Sequence, residues 1–372
     1  MKQLLVLTRS LSVTEGQGRY SVEMLKQLSS DFQITVFTSE RPRSDEHDLD
    51  GLKLKIYDLP AIEKLTKPLI YLRQTLKILP YFLKADLVHF FSDYPYCTFF
   101  SFIPAKFKKR FITVHGTYGV APLDNKRSRG LLIKSFKVAY KVICVSNFTK
   151  QQITKRIELN NLEVISNGIN LDEFTSQGQL VDRHGQEDFP IVLSVGNLKH
   201  RKGYHVTIAA MAKVKKEIPD VKYFIVASKP DADYFNQLEE LTAKHGLEQT
   251  VIFLQNLSDN ELKDFYQKCN LFLLTPIVVS KNKFEGFGLV YLEASAYGKP
   301  VIGTKGCGAE DAIRDGYSGL LVEQENIDQT AQAIIKILKD KDFSQELGVN
   351  GKKWVRQFDW SEVIEKYKKV YG

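Results

Sequence analysis

The chain has 372 residues, with 43% hydrophobic and 26% charged side chains, which suits a soluble, globular protein of two ordinary domains with ample core. Its net charge of +8 is uneven, since residues 1–180 hold 26 Lys and Arg against 17 Asp and Glu and residues 181–372 hold 26 against 27. A basic first half implies an anionic partner there. Membrane phospholipid, a lipid-phosphate acceptor and nucleic acid all qualify, and nucleic acid fits worst because no paired Cys/His spacing or RNP-like aromatic strand appears. Cys97, Cys144, Cys269 and Cys307 lie far apart without metal-ligand spacing, so disulfides and structural zinc are not expected. The start, Met-Lys-Gln-Leu-Leu-Val-Leu-Thr, reads as a buried strand and not as a signal peptide. No segment approaches the ~18 apolar residues of a membrane span. A reducing, cytoplasmic compartment is the expectation.

Along the first half, apolar runs at 3–8, 33–38, 53–57, 87–91, 111–115, 141–145 and 162–165 read as strands. Helical patterns fill 18–29, 68–84, 128–140 and 147–158. Alternation of this kind predicts βα units and a parallel sheet covered by helices. Gly16-Gln17-Gly18 stands between the first strand and the first helix. His115 ends the fifth strand in Thr113-Val114-His115-Gly116-Thr117, where Gly116 leaves room for another molecule. Asn167-Gly168 reads as a tight turn with positive φ. The stretch from Thr175 to Asp188 is polar, holds Gly178 and Gly185 and shows no apolar period, so 176–188 reads as a linker.

The second half repeats the theme, with strands near 190–195, 221–227, 250–254, 270–274, 300–303 and 319–322. The expected fold is α/β: two Rossmann-like, doubly wound domains (1–175 and 189–357) facing each other across a cleft. A glycine turn, Gly196-Asn197-Leu198-Lys199-His200-Arg201-Lys202-Gly203, joins strand 190–195 to helix 204–217. A second, Phe284-Glu285-Gly286-Phe287-Gly288-Leu289, opens an apolar helix near 288–297. Leu289, Val290, Leu292, Ala294 and Ala296 can form that helix's buried side. Its N-terminus, with backbone N–H groups bared by glycine, is a ready anion site. Glu285 and Glu293 stand up to roughly 12 Å apart along it. They cannot share a proton or a metal, but they could grip the two ends of an elongated anion such as a nucleotide-sugar. Two D-x-D triplets, Asp48-Leu49-Asp50 and Asp231-Ala232-Asp233, lie in a polar loop and near a helix start, where acids serve as caps; no metal site is expected from them.

These segments resemble the retaining glycosyltransferases of the large family 4, which have the GT-B fold. The E-x7-E run from Glu285 to Glu293 matches the family motif whose first Glu meets the donor sugar and whose second holds the ribose. The resemblance therefore implies Glu285 as the catalytic residue, with His115 touching the donor sugar or orienting the acceptor. Donor binding falls to Gly16, Gly18, Asn197, Lys202, Gly286, Phe287, Gly288, Leu289 and Glu293. Lys202 matches the lysine that neutralises the diphosphate, and Asn197 stands where the family more often has Arg, so one fewer charge-assisted bond would remain unless Arg201 or another cation compensates. Two schemes stay open for Glu285: attack on the anomeric carbon, or stabilisation of an oxocarbenium-like state during same-face transfer. The C-terminal helix, 358–372, is expected to cross back onto the first domain.

The activity so implied is transfer of a hexosyl group from a nucleotide-diphosphate sugar, expected to be UDP-linked, without metal or other cofactor. The acceptor is expected to be lipid-linked, or a glycan, at an anionic membrane surface on the cytoplasmic side, as in surface-polysaccharide or glycolipid assembly. Basic residues beside aromatics support that surface: the run Lys106, Lys108, Lys109 and Arg110, a second run of Lys126, Arg127, Arg129, Lys134, Lys137 and Lys141, and the helix Pro68–Lys84, where Tyr71, Leu72, Leu76, Leu79, Tyr81 and Phe82 mix with Arg73, Lys77 and Lys84, next to Lys67. The rivals are a sugar-nucleotide 2-epimerase, needing no acceptor, and a silent sugar-nucleotide-binding protein, which would never turn over.

Overall fold

The computed structural model describes residues 1–13, 16–42, 47–60, 68–175, 189–227, 232–280 and 283–372. The linker expected at 176–188 lies outside the described residues. The chain folds into two compact units, Met1–Gly168 with Trp360–Gly372, and Ile169–Asp359. The first boundary thus falls seven residues before the one read at 175, and Phe358 and Asp359 stay with the second unit. Pairing explains both: Ile169 N donates to Phe358 O at 2.8 Å, in a parallel bridge between Ile169 and Asp359.

In the first unit β1 (Lys2–Ser10), β2 (Phe32–Glu40), β3 (Leu54–Asp58), β4 (Leu87–Phe90), β5 (Lys109–Val114), β6 (Lys141–Cys144) and β7 (Leu162–Val164) form one sheet of order β3-β2-β1-β4-β5-β6-β7. Every pairing is parallel, for example Leu5 opposite Thr35 on one side and Val88 on the other. Leu4, Leu5, Val6 and Leu7 are all buried. A strand covered on both faces needs such an unbroken apolar run. Helix Gly16–Leu28 closes one face with Tyr20, Val22, Met24, Leu25 and Leu28. The terminal helix Trp360–Tyr371 joins the same core through Trp360, Val363, Ile364, Tyr367 and Tyr371, spaced as one helical face.

Gly168 answers to this helix. Its φ is not in the left-handed region, contrary to the turn read from Asn167-Gly168. A Cβ there would lie 2.4 Å from the Trp360 ring, so glycine serves close approach and not turn geometry.

In the second unit β8 (Ile191–Val195), β9 (Lys222–Ala227), β10 (Val251–Gln255), β11 (Leu271–Leu273), β12 (Val301–Thr304) and β13 (Gly319–Val322) give the order β10-β9-β8-β11-β12-β13, again all parallel. Both sheets therefore reverse direction beside their first strand, between β1 and β4 and between β8 and β11. In doubly wound sheets ligands bind outside the carboxyl ends of strands at that reversal.

Two readings of the basic half change. Arg110 is 2% exposed and donates from Nη1 to Phe100 O at 2.8 Å. Lys108 Nζ donates to Leu83 O and Ala85 O, and Lys109 Nζ sits 4.9 Å over the Tyr140 ring and 3.5 Å from Tyr371 O. These three tie the unit together, while Lys106 is exposed with its ammonium 5.4 Å over the Phe107 ring. On helix Pro68–Lys84, Tyr71 stacks on Phe99, Tyr81 meets Phe37 and Tyr57, and Phe82 stacks on Phe100. Its aromatic residues face inward. Lys67 lies outside the described residues.

Candidate active site

The loop after β8 carries the cations. Gly196 (φ +147°) opens it, and the one-turn segment His200–Lys202 leads to Gly203 (φ +75°), which starts helix Tyr204–Glu217. A Cβ on Gly203 would stand 1.8 Å from Thr275 O, so no other residue fits without displacing the loop after β11. That second loop clamps the first, with Ile277 N donating to Arg201 O at 2.9 Å and Thr275 Oγ1 to Gly203 O at 3.3 Å. Arg201 and Lys202 are thereby aimed at the end of the sheet.

Glu285 meets them. Its Oε2 lies 2.7 Å from Arg201 Nη1 and 2.7 Å from Lys202 Nζ. Burial acts to raise the Glu285 pKa, but the charges of Lys202 and Arg201 outweigh it and hold the carboxyl down at about 2. A carboxylate so placed is ionised throughout the neutral range. It can face a developing positive charge or attack an electrophilic carbon, and it cannot serve there as a proton donor. The backbone behind it is fixed by Gly308, whose N–H donates to Glu285 O at 2.9 Å. A side chain at 308 would collide with Gly286 O, 2.2 Å from its Cβ position.

Helix Leu289–Ala296 begins at Gly288, which has φ +95°. Tyr291, Leu292, Ala294 and Ser295 are its buried residues, whereas Leu289, Val290 and Ala296 are half-buried. The predicted inward stripe is thus only partly right: Tyr291 Oη reaches Leu274 O at 2.8 Å, so a residue with a polar tip lies in the core. Phe287 is buried against Phe358, ring centroids 5.7 Å apart, which leaves its backbone as the part able to meet a ligand. Glu293, half-buried farther along the helix, accepts from Tyr266 Oη at 2.7 Å. Asn197 sits in the β8 loop, its carbonyl accepting from Lys199 N at 2.9 Å.

In the first unit, Gly18 has a structural reason of its own, since its Cβ would fall 1.9 Å from Ser12 O. Among the described residues, apart from its chain neighbours and its own helix backbone, no atom lies within 4 Å of a Cβ position at Gly16. His115 follows β5 and its Nε2 lies 2.8 Å from Phe91 O. A carbonyl only accepts, so Nε2 carries the proton and Nδ1 of the neutral ring is left as an acceptor. Burial lowers the His115 pKa to about 4, against the pull of the Phe91 carbonyl. The His115 backbone N–H points at both oxygens of Asp93, 3.1 Å each. Asp93 is buried after β4, and desolvation pushes its pKa up to about 8 despite that N–H.

Structure thus brings Glu285, Lys202 and the glycine turns of the second unit together, and it adds Arg201, Thr275 and Gly308. Arg201 was visible in sequence as the neighbour of Lys202. Thr275 and Gly308 carried no signal, because their role is contact with backbone distant in sequence. Of the D-x-D triplets, Asp48 pairs with Lys26 at 2.7 Å and Asp50 with His47 at 2.8 Å, and Asp231 lies outside the described residues.

Two family profiles match the chain: residues 14–173 fit "Glycosyltransferase Family 4" and residues 179–354 fit "Glycosyl transferases group 1". The chain belongs to glycosyltransferase family 4. The enzyme is similar to an uncharacterized glycosyltransferase of Methanocaldococcus jannaschii, 25% identical over 354 residues, covering 94% of this chain and 92% of the relative. It is 27% identical over 219 residues to the GDP-mannose-dependent alpha-(1-6)-phosphatidylinositol monomannoside mannosyltransferase of Mycolicibacterium smegmatis, with 57% of this chain and 56% of the relative aligned. Among solved structures, a glycosyltransferase from Rickettsia africae matches with a TM-score of 0.80 at 22% identity, covering 100% of this chain and 98% of the other. Anabaena HepE in complex with UDP and glucose matches with a TM-score of 0.77 at 17% identity, 99% of each chain. These likenesses give this glycosyltransferase the GT-B fold.

Proposed function

We propose that this glycosyltransferase moves a hexosyl group, with retention of anomeric configuration, from a nucleoside-diphosphate sugar to a lipid-linked acceptor in glycolipid or surface-polysaccharide synthesis. The observation that carries the proposal is the convergence of Arg201 and Lys202 on Glu285, 2.7 Å each, beside the glycine turn into helix Leu289–Ala296. Two cations and a helix N-terminus match a diphosphate. On arrival the diphosphate takes over the cations, and Glu285 is left facing the anomeric carbon. Glu293, held by Tyr266, takes the ribose hydroxyls.

The departing diphosphate keeps its charge on Lys202 and Arg201, so no resident metal is required of the reaction. The donor belongs to the second unit and the acceptor to the basic first unit, with His115 Nδ1 as a hydrogen-bond acceptor for sugar hydroxyls. UDP is the expected leaving group: HepE is described with UDP and glucose, whereas the Mycolicibacterium relative is described as GDP-mannose-dependent. A thermal-shift screen of UDP- and GDP-sugars, followed by NMR of the product's anomeric proton, tests the reading. The expected result is one stabilising donor, slow hydrolysis without acceptor, and a product with the donor's anomeric configuration. An inverted product, or free epimerised sugar, overturns it.

A further inference from the structure

The part of the chain that the donor site leaves unexplained is the outward side of helix Pro68–Lys84. Leu69, Leu72, Leu76 and Leu83 are 80%, 55%, 59% and 65% exposed, although the same helix buries Ile78 and Phe82 completely on its other side. With 3.6 residues per turn, these four leucines fall within about 60° of one another around the axis. Arg73, Lys77 and Lys84 are exposed as well and form a second stripe within about 40° beside the first. The helix has no Asp or Glu. Next to its C-terminal half runs the loop from Phe99 to Lys108, fastened by the Phe82–Phe100 stack at 4.1 Å and by Lys108 on the Leu83 carbonyl. That loop exposes Phe102 by 67% and Phe107 by 63%. Each ring has an ammonium over it, Lys134 at 4.2 Å from Phe102 and Lys106 at 5.4 Å from Phe107.

We infer that this face, the leucine stripe of helix Pro68–Lys84 with Phe102 and Phe107, is the surface by which the enzyme docks on an anionic lipid leaflet. Four leucines and two phenylalanines left in water are unusual for a surface with no partner. Their company decides the partner. Basic residues flank the apolar stripe on the helix itself and stand over both rings, whereas an apolar protein partner would need no such one-signed rim. Of the acids in or beside this stretch, Asp93 is buried, Asp86 accepts from Gln3 N at 2.7 Å, and Asp58, near Lys77, is paired with Arg41. The helix lies in the interface and does not span it, since no described helix is long and apolar enough to cross a membrane. Leucines enter the acyl boundary while Arg73 and Lys84 stay among the phosphates, beside Lys77, whose Nζ also donates to Asp58 O at 2.8 Å. The leucines are not needed for folding, because Tyr71, Ile78, Tyr81 and Phe82 fasten the opposite side. The inference rests on the lipid-linked acceptor proposed above, and it replaces the run from Lys106 to Arg110 as the lipid-facing element.

The test is sedimentation with vesicles of phosphatidylcholine alone and of phosphatidylcholine with phosphatidylglycerol. The wild type and the double variant Leu72→Glu/Leu76→Glu are compared at low and high salt. Wild type should pellet with anionic vesicles only and be released by salt. The double variant should bind at least about tenfold more weakly, a loss of about 1.4 kcal/mol. Melting temperature and UDP-induced stabilisation, measured on the same samples, should match between the two proteins, since neither leucine touches the donor loops. A second pair, Arg73→Gln/Lys77→Gln, should lose the preference for anionic lipid. Equal vesicle binding by wild type and the leucine variant overturns the inference, as does no binding by either. So does a wild-type dimer that the variant turns into a monomer, which would make the face a contact between copies. Absence of donor turnover in a wild type that still pellets would instead count against the proposed function and leave the docking face standing.

Discussion

Replacing Glu285 by Gln removes one charge from a cluster of three and separates catalysis from binding. Between an unfolded value of 4.5 and a folded value of about 2, the carboxyl contributes about 3 kcal/mol to the stability of the unliganded protein at neutral pH. The folded pKa is the lower one. The contribution is therefore complete at pH 7, begins to fall below about pH 4.5, and is gone near pH 2. The variant also leaves Arg201 and Lys202 facing each other without the anion that both hold at 2.7 Å. In differential scanning fluorimetry at pH 7, Glu285→Gln should melt lower by about 6–12 °C, at about 2–4 °C per kcal/mol for a unit of this size. The gap should narrow by about 1 kcal/mol on going to pH 4. A saturating nucleoside diphosphate should restore much of the lost stability, because its charge replaces that of Glu285 on the two cations. Its affinity should be unchanged or up to about tenfold tighter, while sugar transfer is abolished. A melting temperature equal to wild type at pH 7, or wild-type transfer by the variant, would refute the reasoning.

Lys202→Ala should weaken nucleoside-diphosphate binding by about tenfold to a hundredfold, the worth of one charge-assisted bond, as read by isothermal titration calorimetry. Gly203→Ala should cost ~2–4 kcal/mol, since φ +75° and a Cβ 1.8 Å from Thr275 O force the loop to move. Chemical denaturation reads that cost, and donor binding should fall with it because Arg201 and Lys202 move too. Transfer should survive EDTA, with Lys202 and Arg201 carrying the diphosphate charge. Loss on chelation with recovery on adding Mn²⁺ or Mg²⁺ would show that they do not suffice.

Much of the architecture was legible in the chain because parallel strands buried on both faces leave continuous apolar runs, as at Leu4–Leu7 and Ile191–Leu193. Glycines between such runs and helical patterns marked the loops that carry the candidate site. The spacing of Glu285 and Glu293 across the glycine turn marked the helix beside the candidate site. Local sequence holds this information because period, turn chemistry and caps are set within a few residues.

The tertiary structure decided what depends on contact between distant segments. Arg201 meets Glu285 only because the loop after β11 grips the loop after β8 through Thr275 and Ile277. Gly168 and Gly203 are glycines for steric reasons that lie at Trp360 and Thr275. Charge was the least readable property from sequence. Lys108, Lys109 and Arg110 form a basic run in the chain, yet the fold spends them on carbonyls and an aromatic ring. Helical periodicity gave helix Pro68–Lys84 its length, but it could not say which of its apolar residues the core would take. Space beside the sheet accepted Tyr71, Ile78, Tyr81 and Phe82, and the leucines were left outside.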